Sequence, residues 1–240
     1  GKPWLHENLI APFDFAIQKS NEDIETLKNQ VRASSLPHFV YDDSIVLSHR
    51  DQLPGQIQNT LSQLRPQLIK DSLPPLEVFL SQGRMVLDSV YRKGIVRLAN
   101  VNLDQDEALV LIRGNLAQNT SMSELFSIQS ATDFIMQYPY SHRSVREVLE
   151  PLLIEHLEHN VFYDEATTLK VLEDRLNHIP TTRGMVQKGE IVIFKGNLVD
   201  EEKFLTLNSL KREYEAQVWT ESSYNWILLG QLLLTGVTLM

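Results

Sequence analysis

The sequence of 240 residues contains no cysteine. This absence excludes disulfide bonds, zinc–thiolate sites and cysteine nucleophiles from the chemistry of the chain. A domain without thiols suits an oxidising compartment, in which an unpaired cysteine is a liability, although many cytosolic domains also lack cysteine. The composition is therefore compatible with a location outside the cytoplasm.

Basic residues are few relative to acidic ones. The chain has 22 Lys and Arg against 31 Asp and Glu, which gives a formal net charge of −9. No long basic stripe occurs, and nucleic-acid binding requires clustered cations that displace counterions from phosphates. We therefore expect no nucleic-acid partner. The hydrophobic fraction of 42% is ordinary for a folded domain, so disordered and collagen-like classes are excluded as well.

Catalytic signatures are also missing. No serine stands in a GxSxG elbow, so no serine-hydrolase set can be assembled. The tripeptide His49-Arg50-Asp51 copies the kinase catalytic loop, but no glycine-rich loop, Asp-Phe-Gly or Ala-Pro-Glu accompanies it. We interpret the tripeptide as the capped, solvated start of a helix over 52–69.

Two histidines come nearest to a metal site. His156 and His159 are spaced to face one side of a helix, with Glu155 and Glu158 beside them. The arrangement matches neither HExxH nor HxxEH, so polarity of the helix surface is the favoured interpretation. We predict no metal and no cofactor.

The glycines of KGEIVIFKG predict β-turns. Gly189 and Gly196 flank a short β run, whereas a phosphate-binding loop needs GxxxxGK[ST] leading directly into a helix. The sequence therefore offers no catalytic constellation.

Apolar periodicity predicts an α+β fold dominated by helices. Helices are expected at 20–34, 52–69, 76–91, 121–137, 145–157, 164–179 and 200–219. Strands are expected at 39–47, 94–101, 108–114 and 185–199. Residues 1–19 show no clear period and are expected to lie as an extended arm. Helix starts carry capping residues at Ser20 (with Asp23), Ser121 (with Glu124), Asp164 and Asp200.

The C-terminal stretch 226–240, WILLGQLLLTGVTLM, carries no charge and one Gln. Its length alone suits a buried core helix, because about 20 residues span a bilayer. Aromatic residues nevertheless cluster just before it and also occur near the N-terminus, as is typical of a membrane–water interface. We therefore expect 226–240 to begin a transmembrane helix. The expected interface anchors are Trp4, Trp219, Tyr224 and Trp226.

Three segments resemble one protein family. They are GKPWLHENLIAPFDFAIQKS, VYRKGIV and NVFYDEATTLKVLEDRLNHIPTTRGMVQKGEIVIFKGNLVDEEKFLTLNSLKREYE. They resemble the seven-transmembrane HD receptors, in which an extracytoplasmic domain follows the first membrane helix. Further membrane helices then lead to a cytoplasmic HD phosphohydrolase, and characterised members are cyclic-di-AMP phosphodiesterases. The motif residues of the resemblance are Asp164, Gly184, Lys188, Gly189, Glu190 and Gly196.

The sequence lacks the catalytic dipeptide of the HD phosphohydrolases. An HD phosphohydrolase needs a His-Asp dipeptide and further His and Asp residues to hold a metal pair. No His-Asp dipeptide occurs in this sequence. The catalytic residues of the family therefore cannot be assigned to this chain, which we predict is not itself an enzyme.

The resemblance implies a sensor domain over 1–225, with 200–225 as a helix leading to the membrane. It would lie on the extracytoplasmic or periplasmic side of a bacterial inner membrane, held by flanking membrane helices. There it would bind a ligand that the sequence does not identify. The alternatives are a structural or assembly module that forms a homodimer or contacts another envelope protein, and a stand-alone extracytoplasmic hydrolase. A deep polar pocket favours sensing, and a broad exposed apolar patch favours assembly.

Two short internal sequence repeats predict how the strands pair. FVYDD (39–43) recurs as VFYDE (161–165), and RKGIV (92–96) recurs as QKGEIV (187–192) with one insertion. An isolated hairpin is marginal in water, so short strands need partners. The hypothesis is one small β module formed by segments near 94–114 and 184–199, in which Ile95 is buried with Ile191.

The membrane-helix interpretation is testable by truncation. A chain ending near Glu221 should stay folded and become more soluble, because a membrane segment contributes nothing to the core of the domain. If 226–240 were a core helix, each large side chain removed from its start would cost about 1.5–3 kcal/mol. The unfolding temperature of the shortened chain is the measurement, and a large drop would contradict the interpretation.

Overall fold

The computed structural model describes a defined part of the chain, namely residues 1–64, 73–98, 104 and 106–217. The chain forms two compact units. The terminal unit combines Gly1–Ser34 with the chain from Asp174 onward, and the core unit is Ser35–Glu173. The α+β fold class predicted from the sequence is confirmed.

Seven α-helices and nine strands occur in the part of the chain that the structure describes. The helices are α1 (Asn21–Ala33), α2 (Asp43–Leu64), α3 (Leu76–Lys93), α4 (Ile128–Gln137), α5 (Arg143–Glu155), α6 (Glu165–Asn177) and α7 (residues 201–217). The strands are β1 (Leu9–Ile10), β2 (Phe15–Gln18), β3 (His38–Tyr41), β4 (Val96–Arg97), β5 (Ala108–Arg113), β6 (Leu116–Ser121), β7 (Val161–Tyr163), β8 (Thr182–Val186) and β9 (Ile191–Ile193). A 3-10 turn, Met122–Glu124, follows β6.

The core unit contains a mixed five-stranded sheet with the strand order β4-β7-β3-β5-β6. Strand β3 pairs parallel with β5 and antiparallel with β7, and β5 and β6 form an antiparallel hairpin. A parallel pair requires a long connection between its strands. Helices α2 and α3 lie in the connection from β3 to β5, which places the end of α3 beside the sheet.

Helices α2 to α5 of the core unit bury a common apolar core. Ile57, Phe79 and Leu149 are among its fully buried side chains. Gly83 permits close packing of α3, because a Cβ atom there would lie 3.2 Å from Cδ1 of Ile57. A second apolar cluster packs on the sheet and includes Phe39, Leu109 and Val161.

The terminal unit holds residues 1–19 against residues 182–199. Strand β1 pairs with β9 and β2 pairs with β8, both antiparallel, in two separate two-stranded sheets. Further backbone hydrogen bonds extend the pairing: the Trp4 N–H donates to the Asn197 carbonyl (2.8 Å), and the Gly196 N–H donates to the Trp4 carbonyl (2.8 Å). Residues 1–19 are therefore extended and hydrogen-bonded along much of their length. The core of this unit is Ala11, Phe15, Val186 and Leu210.

Several local predictions are confirmed. Ser20 and Asp23 form the expected capping box of α1. The Asp164 carboxylate accepts from the Thr167 N–H (3.0 Å) at the start of α6, and Asp200 accepts from the Lys203 N–H (2.9 Å) at the start of α7. Each signal is local, since the cap and its partner lie three residues apart.

The hypothesis of a β module shared by 94–114 and 184–199 is wrong. Strands β4 and β5 belong to the sheet of the core unit, whereas β8 and β9 pair with β2 and β1. Ile191 is opposite Ile10, and Ile95 forms a bridge with Phe126. The N-terminal arm supplies the partners that β8 and β9 need, so the requirement for pairing is met in another way.

Other predicted boundaries also differ. The strand predicted at 39–47 ends at Tyr41, because the Asp42 carboxylate accepts from the backbone N–H (2.8 Å) and the hydroxyl (2.6 Å) of Ser44 and α2 begins there. The cap predicted at Ser121 is wrong, because Ser121 still pairs with Ala108 in the β5–β6 hairpin.

The helix predicted at 121–137 starts later than expected. Helix α4 is capped by Ser127, whose hydroxyl accepts from the Ser130 N–H (3.1 Å), while the Ser130 hydroxyl accepts from the Ser127 N–H (2.8 Å). A Ser-x-x-Ser pair can therefore form a reciprocal box like that of Ser and Glu.

A pair of glycine substitutions tests the packing at the end of α3. Gly94 has φ +94°, and a Cβ atom there would lie 2.6 Å from Cγ2 of Val161. Gly94→Ala should lower the free energy of unfolding by about 2–4 kcal/mol through backbone strain and overpacking. Gly55→Ala on the exposed side of α2, where a Cβ meets nothing within 4 Å, should instead raise it by roughly 0.5–1 kcal/mol. Urea denaturation measures both, and equal effects would contradict the packing assigned to Gly94.

Candidate functional site

A buried asparagine holds the backbone that carries the site. Asn160 is fully buried, and its side-chain oxygen accepts from the Ile95 N–H (2.7 Å). Its own backbone N–H donates to the Ile95 carbonyl (3.0 Å), and its carbonyl accepts from the Asp42 N–H (2.8 Å). A polar side chain is retained in such a place because the buried backbone groups need partners. Asn160 thereby joins the ends of β3 and α3 to the strand β7.

Two tyrosines complete this support. The Tyr41 hydroxyl donates to the Tyr91 carbonyl (2.6 Å), and the Tyr91 hydroxyl accepts from the Glu158 N–H (3.2 Å). Burial raises the pKa of Tyr91 to about 12 and raises the pKa of Tyr41 as well. Both hydroxyls therefore stay neutral and act as hydrogen-bonding groups over the physiological range.

Arg113, at the end of β5, caps the C-terminus of α3. Its Nη2 donates to the carbonyls of Arg92 (2.7 Å) and Lys93 (3.2 Å). The last carbonyls of a helix have no partner inside the helix, and a cation is favoured at that end. The guanidinium carbon also lies 4.1 Å from the centroid of the Tyr41 ring. Backbone acceptors and an aromatic face thus fix the position of this cation.

Arg113 lines a cavity together with two further cations, Arg92 and Lys93. We call this cavity the basic cleft. It has a volume of about 380 Å³. The cationic lining residues are Arg92, Lys93 and Arg113, and the other lining residues are Leu111, Gln118, Thr120, Ser123, Glu124 and Leu125. Lys93 Nζ lies 4.8 Å from the Phe126 ring centroid. Since the chain as a whole has a net charge of −9, this concentration of positive charge is a local exception.

One carboxylate belongs to the basic cleft. Glu124 accepts a hydrogen bond from the Thr120 hydroxyl (2.6 Å). Among the described residues, none of the three cleft cations forms an ion pair with a carboxylate. Their charges are therefore available to a ligand.

A second cavity adjoins the basic cleft through Arg92, which lines both. It has a volume of about 300 Å³ and lies between α2 and the end of α3. Arg50 and Asp88 form an ion pair in its wall (2.6 Å), and that hydrogen bond raises the pKa of the arginine. Because Arg50 is paired with Asp88 and Asp43 adds a further carboxylate to the wall, this second cavity is not specifically suited to an anion.

The His49-Arg50-Asp51 tripeptide has a structural role here. It lies inside α2 and not at the start of a helix, contrary to the prediction. The His49 ring stacks on Tyr91, with centroids 5.5 Å apart, and its Nε2 lies 3.2 Å from Glu158. The tripeptide thus packs beside the second cavity.

The terminal unit presents an apolar groove of about 550 Å³ between its N-terminal residues and α7. Its aromatic members are Trp4 and Tyr214, and its single charged member is Lys211. The remaining members are Leu9, Ile10, Pro12, Leu207 and Leu210. Trp4, which the sequence predicts as an interface anchor, therefore lies in this groove. Trp219, Tyr224 and Trp226 lie outside the described residues, as does the stretch 226–240.

The glycine-rich motif holds the β8–β9 connection on the N-terminal residues. The Lys188 N–H donates to Asp14 Oδ1 (2.6 Å), and the Gly189 N–H donates to the Ala11 carbonyl (2.8 Å). Gly189 and Gly196 have positive φ, as the turn interpretation predicts, whereas Gly184 lies within β8.

Glu190 closes the same turn. Its carboxylate accepts from the Gln187 N–H (3.1 Å), and its carbonyl accepts from the Ala11 N–H (2.9 Å). None of the six motif residues lines the basic cleft, so the sequence motif and the cleft are separate features. The sequence places Arg113 only in a predicted strand and gives Arg92 and Lys93 no site role, because nothing local indicates that a distant arginine returns to them.

The described residues contain neither a metal-binding cluster nor a membrane-spanning helix. No group of three or more His, Asp or Glu side chains there could hold a metal ion, and His156 Nδ1 instead lies 2.8 Å from the Leu152 carbonyl. None of the described helices combines the length and apolarity required to cross a membrane.

The chain belongs to the family described as 7TM-HD extracellular, whose model matches residues 6–212. The resemblance inferred from the three sequence segments is thus confirmed. The domain is the extracellular sensory portion of a 7TM-HD protein, so it lies outside a membrane to which the protein is anchored. The HD catalytic residues are not in this chain. No curated protein and no solved structure matches it.

Unfolding at alkaline pH tests the contribution of the buried Tyr91 hydroxyl to stability. The pKa of Tyr91 is raised from 10.0 to about 12 in the folded protein, so folding favours its protonated form. That contribution is complete below pH 10 and is lost as the pH rises from 10 to 12. The fall in unfolding temperature between pH 9 and pH 11.5 should therefore be smaller for Tyr91→Phe than for the unmodified chain. Tyr214→Phe, at a mostly exposed position, is the matched control and should leave the pH dependence unchanged.

Proposed function

We propose that this domain senses a ligand and thereby regulates a cytoplasmic HD phosphohydrolase that hydrolyses cyclic di-AMP. The parent protein would reside in the inner membrane of a bacterium, with the domain on the periplasmic or extracytoplasmic side. Family membership supports the position of the domain, and the basic cleft supports the binding role. The cleft is the observation that carries the proposal, because its cations are held in place without carboxylate partners.

The construction of the basic cleft suits it to signalling. Arg92 and Lys93 belong to the end of α3, Arg113 to the end of β5, and the opposite wall to β6 and the turn after it. A ligand that binds all of these walls couples helix α3 to the sheet. Regulation requires different ligand affinities in two states of the domain, and a cleft between separate elements can differ in width between states.

The ends of the chain connect the domain to the membrane in this proposal. Residues 1–225 form the sensor, 200–225 lead towards the bilayer and 226–240 begin a transmembrane helix. Trp4, Trp219, Tyr224 and Trp226 act as interface anchors. Support comes from the uncharged C-terminal sequence and from the apolar groove, where Trp4 and Tyr214 offer ring surfaces of the kind enriched at bilayer interfaces.

Assembly is the second candidate function. The terminal unit exposes several large apolar side chains, and a partner that covers them would remove apolar surface from water. Leu5, Met185, Leu198 and Phe204 are each more than half exposed. A homodimer, or a complex with another envelope protein, would cover them. Analytical ultracentrifugation of the chain distinguishes this candidate, since a sensing monomer shows no dependence of mass on concentration.

The proposal assigns sensing to this domain and hydrolysis to the cytoplasmic HD domain, so it predicts that the isolated chain is catalytically inert. Incubated with cyclic di-AMP and manganese, it should leave the dinucleotide intact, because it has no His-Asp dipeptide to hold a metal pair. Chromatography of the mixture is the measurement. Metal-dependent turnover that co-purifies with the chain would contradict the proposal.

Ligand sensing itself is testable with a thermal-shift screen of cell-wall fragments, nucleotides, phosphorylated metabolites and metals. A ligand present at 100 times its Kd stabilises by about 2.7 kcal/mol, or roughly 5–10 °C for a domain of this size. At least one class should raise the unfolding temperature. If none does, and the chain forms a dimer that charge substitutions at Leu5 or Phe204 dissociate, assembly replaces sensing as the function.

A further inference from the structure

We propose that the basic cleft binds a phosphate monoester, which would be the ligand class that the domain senses. The inference rests on the proposed function and identifies the chemistry of its site. The charge balance is the first argument. Three cations and one carboxylate line the cleft, which gives a formal charge of +3 − 1 = +2. A phosphate monoester carries about −1.5 to −2 at neutral pH, so it matches this charge, whereas a monocarboxylate would leave one cation uncompensated.

The geometry of Arg113 is the second argument. Its Nη2 makes both hydrogen bonds to the end of α3, and no bond from Nε or Nη1 occurs within the described residues. The planar guanidinium therefore keeps donors for a ligand while the Tyr41 ring and two carbonyls hold it in place. Nε and Nη1 can each donate a separate hydrogen bond to a phosphate oxygen, and the fixed position of the guanidinium reduces the entropy lost on binding.

The remaining lining residues suit a small organic phosphate. Gln118 and Ser123 offer neutral hydrogen-bonding groups, and Leu111 and Leu125 offer apolar contact to the carbon part of a ligand. The volume of about 380 Å³ lies at the lower end of the range for small-molecule sites, roughly 300–1,000 Å³. The ligand is thus a phosphorylated metabolite or a single phosphate headgroup and not a polymer.

Glu124 offers a substitution that should strengthen binding. Its carboxylate, held by the Thr120 hydroxyl, opposes an anion in the same cleft. Glu124→Gln removes that repulsion and keeps a hydrogen-bond acceptor for Thr120. The substitution should therefore tighten phosphate binding, which a merely structural role of Glu124 would not do.

Isothermal titration of the 240-residue chain with glycerol 3-phosphate, and separately with inorganic phosphate, tests the proposal at constant ionic strength. We expect saturable binding that weakens about tenfold or more in Arg92→Gln, since a hydrogen bond to a charged group contributes about 1.5–3 kcal/mol. Glu124→Gln should bind more tightly. Arg143→Gln is the control, because Arg143 carries the same charge, is 91% exposed on α5 and does not line the cleft.

Arg113 needs a conservative variant, because it also caps α3. Arg113→Lys keeps the charge and loses the Nε and Nη1 donors. It should fold, as its circular dichroism spectrum would verify, and should bind glycerol 3-phosphate several-fold more weakly. Flotation with phosphatidic acid vesicles, against phosphatidylcholine vesicles, distinguishes a lipid headgroup from a soluble phosphate. Binding to either the soluble phosphates or the vesicles that Arg92→Gln weakens about tenfold or more supports the proposal and identifies the source.

Two results would overturn the proposal. One is the absence of saturable binding to glycerol 3-phosphate, to inorganic phosphate and to phosphatidic acid vesicles. The other is binding that Arg92→Gln and Arg143→Gln weaken equally. Neither result by itself refutes sensing. If the thermal-shift screen identifies another ligand class, the sensor function stands and only its phosphate chemistry is wrong.

Discussion

The hydrogen bonds between Asn160 and Ile95 are the constraint on which the core unit depends. Two groups of Asn160 bond both backbone groups of Ile95, and the Val161 N–H adds a further bond to the Ile95 carbonyl (3.1 Å). On the other side, the backbone of Phe126 bonds Gly94 and Val96 (2.8 Å each). These contacts fix the chain immediately after α3. An unpaired buried group here would cost about 1–3 kcal/mol, so the arrangement is strongly specified.

The cleft follows from that constraint. Because the end of α3 is fixed, its last carbonyls point towards β5, and Arg113 is the residue that satisfies them. The same arginine then brings its charge beside those of Arg92 and Lys93. Helix capping and the proposed ligand binding thus use one side chain, and the capping role explains how a chain with a net charge of −9 maintains a basic cavity.

The two units differ in the surfaces that they present. The core unit offers a polar, basic cleft, whereas the terminal unit offers an apolar groove beside α7. The family match covers residues of both units, so the extracellular domain of a 7TM-HD protein includes both kinds of surface. Under the proposed function, the basic cleft would bind the ligand and the apolar groove would contact the membrane or another protein.

The sequence by itself determined the α+β class, the family, the caps at Ser20, Asp164 and Asp200 and the turns at Gly189 and Gly196, because each of these depends on residues a few positions apart or on a recognisable block. Tertiary structure decided which strands pair, since alternation shows that a strand exists but not which partner it has. It also decided the site. Arg113 stands twenty residues from Lys93 in sequence, and only the crossover from β3 to β5 brings their charges into one cavity.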